Sequence, residues 1–369
     1  MTLLARPIAR RTSLFLVSLA IAAIAALAAA ACTSGPSGTS TPTQPATWID
    51  QPVTFTADGM TIYGTYRHPV GVTRRVAAAL LIAGSGPTDR NGNSAAEPGP
   101  IDTLKTLAGW LSADGVASLR YDKLGSGQTG LGPYAAAPTT IGIAPFEDEA
   151  VAAFKFLASQ PAVNANRLAV IGHSEGALFA LMLATGTSGS SPPVHALGLL
   201  EPLSLRYLDV ISAQVQASVA AAQSTGSISP TSAATVDSAL AAAISTLRKN
   251  GTVTTGLPAS LASIFNPSTA LFLSQADRFD PGQLAARVAQ HLPVLLTCSD
   301  ADIHVTCAEV DHLNAGLTLA SADVSFVHLS GVDHVLKQDP GGSATNYTKP
   351  LPFSPQLQAA LRVFVGQHL

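Results

Sequence analysis

The chain has 369 residues and a formal net charge of −3, with 47% of its residues hydrophobic and 12% charged. This composition allows a sizeable core, in one large or two small domains, from about residue 50 onwards. The near-neutral charge leaves no basic surface of the kind that binds nucleic acid, so we expect no nucleic-acid partner.

The N-terminal segment predicts an exported protein. Three arginines before residue 12 precede an apolar run at 14–31 that ends in small residues, which is the pattern of a signal peptide over residues 1–31. A transmembrane anchor is the alternative, because the run approaches the length that spans a bilayer. The segment resembles a bacterial lipoprotein signal, in which Cys32 would carry the lipid, and the pair Arg10-Arg11 resembles a twin-arginine export signal.

Residues 32–50 follow as a tether rich in Ser, Thr and Pro. A polar, flexible chain of about fifteen residues spans roughly 20 Å on average, so the tether would hold the folded body just off a membrane surface. We therefore expect the body to lie on the extracytoplasmic face of the cell membrane, attached through the lipid anchor only, or to be secreted.

Strands and helices alternate over residues 51–202. A hairpin that turns at Asp58-Gly59 is predicted within 53–69, because apolar and polar residues alternate around it. Continuous apolar runs predict strands buried on both faces, with helical patterns between them. These strands are predicted at 76–84, 116–122, 166–174 and 194–202, and the helices at 103–115, 145–159 and 174–186. The alternation predicts the α/β class, with a mostly parallel sheet covered by helices on both faces.

Residues 203–290 interrupt this alternation, because they are rich in Ala and Ser, mostly helical in pattern and without a convincing buried strand. The alternation resumes over residues 291–369, with strands predicted at 293–300 and 323–334 and helices at 307–317 and 354–369. The chain is therefore predicted to form one α/β core in two parts, with a helical insertion between its sixth and seventh strands.

A Gly-x-Ser-x-Gly sequence at 172–176 lies where the strand predicted at 166–174 meets the next helix. Its glycines suit a strained strand-to-helix turn in which the two backbones pack closely. Such a turn presents Ser174 as a nucleophile, and the N-terminus of the following helix favours negative charge that develops beside it. A serine hydroxyl also needs a base to take its proton, and we expect a histidine held by a carboxylate.

Together with two further segments, this turn resembles the α/β-hydrolase superfamily. The segments are GSGPTDRNGN at 84–93 and LRYDKLGSG at 119–127, which resemble those of bacterial carboxylesterases related to the serine aminopeptidases. The resemblance covers roughly residues 53–369 and is weakest across the insertion. It implies the α/β-hydrolase fold, a helical cap over the substrate pocket, and a catalytic serine, acid and histidine in that order along the chain.

In the family that the chain resembles, the acid follows the seventh strand and the histidine follows the eighth. His334 is then the base, because it lies in a loop just past the last predicted strand. Asp302 is favoured as the acid, since in related hydrolases the acid directly precedes an apolar-x-Val segment. Asp300 and Glu201 are the alternatives, and Glu201 ends the sixth strand, where some family members keep their acid.

Three other histidines are expected to have no part in the chemistry. His173 stands beside the nucleophile and is predicted to point the other way on the turn. His328 is predicted to pack within the last strand, and His304 to lie at the surface or in a loop.

The resemblance also implies an oxyanion hole made of two backbone amides. One belongs to Glu175, which follows the nucleophile directly. The other comes from the glycine-rich loop at 83–93, where Ser85 is favoured and Gly86 is the alternative.

Four charged residues flank these segments, namely Asp89, Arg90, Arg120 and Asp122. They are predicted to be structural, forming ion pairs that brace the oxyanion loop. A direct substrate contact of Arg90 is the alternative.

Cys298 and Cys307 are the two cysteines that remain if Cys32 carries a lipid. In an exported protein they are expected either to form a disulfide, with a nominal stabilisation of about 2.5–3 kcal/mol, or to stay as buried free thiols. A metal site of these cysteines with nearby Asp and His side chains fits no familiar ligand spacing, so no metal is expected.

These expectations together describe an exported serine hydrolase that cleaves carboxylic esters through an acyl-enzyme intermediate and needs no cofactor. Its partner would be a small-molecule ester or acyl substrate, and the low charge of the insertion favours an apolar substrate portion. A serine aminopeptidase or amidase and an acyltransferase are alternatives, because they use the same triad. A non-catalytic binding lipoprotein is the alternative from another functional class.

Overall fold

The computed structural model describes residues 48–71 and 74–369, and one eight-stranded sheet runs through them. Its strands are β1 (Trp48–Ala57), β2 (Met60–Pro69), β3 (Val76–Ile82), β4 (Ala117–Tyr121), β5 (Val163–His173), β6 (Ala196–Leu200), β7 (Pro293–Ser299) and β8 (Asp323–Leu329). They lie in the order β1-β2-β4-β3-β5-β6-β7-β8. β2 is antiparallel to both of its neighbours, and all other neighbours are parallel. The predicted mostly parallel sheet is confirmed.

The first two strands form the predicted hairpin. Asp58 and Gly59 have φ angles of 45° and 74°, which is the left-handed geometry of a two-residue turn that matches the twist of paired strands. β1 includes Trp48–Asp50, a stretch that we had assigned to the tether. It joins the sheet because Asp50 lies opposite Arg67 in the ladder, and the Arg67 guanidinium donates a hydrogen bond of 3.2 Å to its carboxylate.

The predicted signal peptide at 1–31, the lipid site at Cys32 and the tether up to residue 47 lie outside the described residues. Export and lipid attachment therefore stay predictions. Among the described residues, no helix has both the length and the apolar character that crossing a membrane requires.

Helices cover both faces of the sheet. They are α1 (Thr103–Ala113), α2 (Ala144–Ala158), α3 (Gly176–Ala184), α4 (Tyr207–Ser224), α5 (Pro230–Asn250), α6 (Ala259–Ala262), α7 (Pro267–Ala276), α8 (Pro281–Ala285), α9 (Cys307–Leu319) and α10 (Pro355–His368). Alternate residues of β3 face two different cores, because Leu80 packs with α2 and α3 whereas Leu81 packs with α1 and α10. Burial on both faces explains why the central strands are continuous apolar runs.

The helices α4 to α8 form the predicted insertion between β6 and β7, and the described chain has no strand within it. Asp277, at the end of α7, holds its parts together. This buried carboxylate accepts hydrogen bonds from Arg206 at 2.6 Å, from Arg248 at 2.8 Å and from the Leu208 amide at 2.9 Å. A buried carboxylate without such partners would be strongly destabilising.

Aromatic contacts attach the insertion to the core. The ring of Phe272 on α7 lies edge-on to Tyr207 on α4, with centroids 5.5 Å apart, and edge-on to Phe146 on α2 at 5.2 Å. Edge-to-face pairs of this kind each contribute about 0.5–1.5 kcal/mol beyond their area burial. The insertion is therefore packed against the core through α2.

The parallel strands bring the predicted site residues to one edge of the sheet. The oxyanion loop follows β3, Ser174 follows β5, Asp302 follows β7 and His334 follows β8. Because the carboxyl ends of parallel strands meet at the same edge, these four segments converge there.

Candidate active site

Ser174 lies at the tip of a strained turn between β5 and α3. Its φ angle of 54° is left-handed, a conformation that a residue with a side chain seldom adopts. The flanking glycines permit the turn, since a Cβ at Gly172 would overlap the backbone of Gly176 and a Cβ at Gly176 would overlap the backbone of Ile82. The Ser174 amide donates a 3.0 Å hydrogen bond to the carbonyl of Leu200 and fixes the turn on β6.

The structure brings Ser174, His334 and Asp302 together in one hydrogen-bonded chain. With the His334 proton on Nδ1, the Ser174 hydroxyl donates to Nε2 over 3.0 Å, and Nδ1 donates to Asp302 Oδ2 over 2.7 Å. Ser174 is partly exposed, whereas the Asp302 side chain is buried. This is the arrangement in which a histidine takes a proton from a serine and a carboxylate holds the resulting imidazolium.

The Asp302 carboxylate is held ionised by its surroundings. Its second oxygen accepts hydrogen bonds from the amides of His304 at 2.7 Å and Val305 at 3.1 Å. Burial alone would raise its pKa, but the charge and the hydrogen bond of His334, with the two amides, bring the pKa below its usual value.

The two alternative acids have other partners. Asp300 is exposed and accepts hydrogen bonds from the Ser330 hydroxyl at 3.0 Å and the Gly331 amide at 2.6 Å. Glu201 is fully buried behind Asp302 and accepts a 3.2 Å hydrogen bond from Thr297. Burial, followed by the charge of Asp302, raises the pKa of Glu201 well above its usual value, which favours the protonated form of this carboxyl group.

Two further imidazoles, those of His173 and His304, lie beside the ring of His334. His173 Nε2 donates a 2.7 Å hydrogen bond to the carbonyl of His334, and the two ring centroids are 5.0 Å apart. Gly84 leaves room for the His173 ring, since a Cβ built at Gly84 would lie 3.4 Å from Nδ1 of His173. His304 does lie in a loop, but it is partly buried with its ring 4.9 Å from that of His334.

Both of these imidazoles stay neutral near neutral pH. Burial, followed by the charge of His334, lowers the pKa of His173 to about 3 and that of His304 to about 4. His334 is therefore the histidine of this cluster that both reaches the serine hydroxyl and has a carboxylate partner. The sequence offered no signal for the two supporting histidines, because nothing in their local pattern places them against a loop far along the chain.

The candidate oxyanion donors lie beside the nucleophile. The amides of Glu175 and Ser85 make no hydrogen bond within the described residues. The loop passes close to the serine, since a Cβ built at Gly84 would lie 3.1 Å from the Ser174 Cβ. Unpaired amides at the start of α3 and in the adjacent loop suit an oxygen that becomes negative during reaction.

An ion pair braces the oxyanion loop from below. The buried Asp122 carboxylate accepts three hydrogen bonds from Arg90, namely from its backbone amide at 2.8 Å, Nε at 3.0 Å and Nη2 at 2.5 Å. The Arg90 guanidinium also donates to the Gly64 carbonyl and to Gln128. With its donors engaged in this way, Arg90 is placed as a structural residue and not as a substrate contact.

Arg120 and Asp89 were also expected to brace the loop through ion pairs. Arg120 forms an ion pair, but Asp89 does not within the described residues. Arg120 donates to Asp50 on β1 at 3.1 Å and to the Asn91 side chain at 3.1 Å. Asp89 forms no ion pair among the described residues and instead accepts hydrogen bonds from the amides of Asn91 and Asn93 at 2.8 and 3.0 Å. Asp50 was missed as a partner because we placed it in the tether.

Cys298 and Cys307 are joined by a disulfide, with their Cα atoms 5.1 Å apart. The closed segment contains Asp302 and His304, so the disulfide restricts the loop that carries Asp302. His328 lies next to the pair, with Nδ1 3.4 Å from the Cys298 sulfur. These three residues are close enough to ligate one ion, but sulfurs bonded to each other cannot act as the thiolates that a metal needs.

Solved structures with a similar fold include several hydrolases. Est1E from Butyrivibrio proteoclasticus, solved with bound ferulic acid, is 15% identical, with a TM-score of 0.52 over 86% of this chain and 98% of that chain. An esterase from Pyrococcus furiosus is 16% identical, with a TM-score of 0.51 over 87% and 93%. A dienelactone hydrolase-like promiscuous phosphotriesterase from metagenomic libraries is 14% identical, with a TM-score of 0.51 over 88% and 99%. No family model and no curated protein sequence matches the chain.

Proposed function

We propose that this chain, which has the α/β-hydrolase fold, is a serine hydrolase that cleaves carboxylic esters. The observation that carries the proposal is the chain of contacts from Ser174 through His334 to Asp302, at 3.0 and 2.7 Å. The choice of an ester is supported by the solved neighbours, two of which are named as the esterase rPPE and the Pyrococcus furiosus esterase. Fold alone does not give a function, so the geometry of the site has to support the chemistry.

Acylation would begin with attack of Ser174 Oγ on the ester carbonyl carbon. The hydroxyl proton passes to His334 Nε2, and the charge of Asp302 stabilises the imidazolium that forms. The carbonyl oxygen becomes an oxyanion that accepts hydrogen bonds from the amides of Glu175 and Ser85. When this intermediate collapses, the carbon–oxygen bond to the alcohol breaks, and His334 gives its proton to the leaving alkoxide. The acyl group stays on Ser174.

Deacylation repeats these steps with water in place of serine. His334 removes a proton from water as the water oxygen attacks the acyl carbon, and the same amides bind the oxyanion. The bond to Ser174 Oγ then breaks, His334 returns the proton to the serine, and the carboxylic acid leaves. Each step uses this chain's own groups and water, so the reaction as written requires no cofactor.

A substrate panel tests the reaction class. We expect p-nitrophenyl acetate and butyrate to be turned over with kcat/KM at least about 100-fold above that for aminoacyl p-nitroanilides. A reversal of this order would replace the esterase by an aminopeptidase or amidase. Product analysis with a primary alcohol present separates hydrolysis, which gives the free acid, from acyl transfer, which gives a new ester.

We also propose that the enzyme is exported and held on the extracytoplasmic face of the membrane by a lipid on Cys32. The support is the sequence of residues 1–47 alone. In a bacterial host, the full chain should incorporate radiolabelled palmitate, whereas the Cys32→Ala variant should not, even if its apolar run keeps it in the membrane. A full chain that takes up no label, or a variant that is labelled, would contradict the lipid anchor.

A further inference from the structure

Lys123, Glu175 and Tyr207 form a buried polar chain next to the oxyanion loop. Lys123 and Glu175 side chains are each 3% exposed, with Nζ and Oε1 3.1 Å apart. Lys123 also donates a hydrogen bond to the carbonyl of Gly84, and Tyr207 donates to Glu175 Oε2 over 2.5 Å. Lysine and glutamate are seldom buried so completely, and the mechanism described above uses neither side chain.

One end of this chain orients the second oxyanion donor. The carbonyl of Gly84 and the N–H of Ser85 belong to the same planar peptide group. Because Lys123 fixes the direction of the carbonyl, it also fixes the direction of the N–H on the opposite side of that group. A charged donor on the carbonyl further polarises the peptide and strengthens its N–H as a donor.

The other end orients the first donor. The carboxylate of Glu175 is held from two sides, by Lys123 and by Tyr207. With this side chain fixed, the backbone of Glu175 keeps its amide at the start of α3, beside Ser174. Lys123 therefore links the residues that supply both donors, and it lies 52 positions before Glu175 in the chain.

Tyr207 connects this arrangement to the insertion, because it is the first residue of α4. Its hydroxyl is a lasting donor, since burial, followed by the charge of Glu175, raises the pKa of the phenol well above its usual value. Its ring also packs edge-on to Phe272 on α7. A displacement of the insertion would therefore move the Tyr207 hydroxyl and change its hydrogen bond to the carboxylate of Glu175.

Stability alone does not explain such a group. The attraction within a buried ion pair often does no more than balance the loss of hydration of its two charges. Lys123 Nζ lies 6.0 Å from the centroid of the Phe146 ring, so apolar groups are already available to pack in this region. Packing therefore does not explain why Lys123 and Glu175 are charged residues. A role in holding the oxyanion hole does explain it.

We propose that Lys123, Glu175 and Tyr207 are positioning residues that set the geometry of the oxyanion hole and make it depend on the docking of the insertion. This inference rests on the proposed ester hydrolysis, because it assigns a role within that reaction. It predicts a loss in kcat with little change in KM, since the hole acts on the oxyanion and not on the bound ester.

Tyr207→Phe is the cleanest test, because it removes one hydroxyl and keeps the ring. With p-nitrophenyl butyrate, kcat should fall about ten-fold while KM stays within about two-fold, since small displacements of a donor have large effects. The matched control is Tyr66→Phe, which removes a buried hydroxyl on β2 that has no partner among the described residues. Its kcat should equal that of the wild type.

Lys123→Met should lower kcat about 100-fold, which is the effect of losing one oxyanion donor. Because this variant leaves the Glu175 carboxylate buried without its cation, it is paired with the triple variant Lys123→Met/Glu175→Leu/Tyr207→Phe, which also removes the Tyr207 hydroxyl that would otherwise lose its acceptor. The triple variant should fold with a Tm near that of the wild type and keep the low kcat. Recovery of wild-type kcat in the triple variant would overturn the inference.

Inhibition by a trifluoromethyl ketone separates a role in the oxyanion hole from a merely structural one, because a structural role would leave the inhibition constant unchanged. Ser174 adds to the ketone carbonyl and forms a hemiketal whose oxyanion occupies the hole. Across Tyr207→Phe and the Lys123 variants, the inhibition constant should rise by the same factor as kcat/KM falls. Unchanged inhibition, or wild-type kcat in Tyr207→Phe, would overturn the inference while an active wild type upholds the proposed function. A wild type that turns over no ester would overturn both.

Discussion

Replacing Ser174 by alanine should lower kcat for p-nitrophenyl butyrate by about 10⁶-fold, to the residual rate that binding and the oxyanion hole provide. In the proposed mechanism this hydroxyl forms the covalent intermediate, and no other serine hydroxyl among the described residues has a hydrogen bond to His334. Alanine must adopt the same left-handed φ of 54° as serine, so the strain of the turn is unchanged. The variant should therefore unfold at a temperature close to that of the wild type.

The control is Ser112→Ala, which removes a buried serine hydroxyl on α1, away from the site. It should keep full turnover at some cost in stability, because the hydroxyl donates to Gly109 and accepts from Arg67. A Ser174→Ala protein that is folded and retains more than about 1% of wild-type kcat would rule out Ser174 as the nucleophile.

Asp302→Asn should lower kcat about 10⁴-fold. The Asp302 oxygen that faces the amides of His304 and Val305 must remain an acceptor. The asparagine would therefore turn its NH₂ group toward His334 Nδ1. Nδ1 would then have to accept a hydrogen bond, which places the proton on Nε2, where it blocks transfer from Ser174.

The same substitution at the alternative acids gives the comparison. Asp300→Asn should keep kcat within about ten-fold of the wild type, because Asp300 binds Ser330 and Gly331 and lies on the surface. Glu201→Gln should also stay within about ten-fold, since Glu201 accepts its hydrogen bond from Thr297 and the amide oxygen of glutamine can accept the same bond. A loss of about 10⁴-fold in either variant, with a mild effect of Asp302→Asn, would move the catalytic acid to that residue.

The sheet and the nucleophile turn are predictable because their signals are local. Strands buried on both faces, such as β3, need apolar residues at consecutive positions, so each can be read without knowing its neighbours. The turn at Ser174 needs glycine at 172 and 176, where any Cβ would overlap the backbone of the adjoining segments. The order of elements then places His334 and Asp302 at the ends of later strands.

The contacts around the triad are not local, and for that reason the sequence does not predict them. Tyr207 and Glu175 are 32 residues apart, and His173 and His334 are 161 apart, so no periodicity connects them. Lys123 stands in a segment that carried the family resemblance, yet its burial follows only from the packing of that segment under the oxyanion loop.

Labelling with a fluorophosphonate probe tests the central claim most directly, because the probe reacts covalently with a serine that an adjacent base activates. The folded wild type should incorporate one probe per chain. Fragmentation of the tryptic peptide that spans residues 168–206 should place the probe on Ser174 and not on another serine of that peptide. Ser174→Ala and heat-denatured wild type should remain unlabelled, and His334→Ala should label far more slowly. A folded wild type that takes up no probe, or takes it up at another residue, would contradict the assignment of Ser174 as an activated nucleophile.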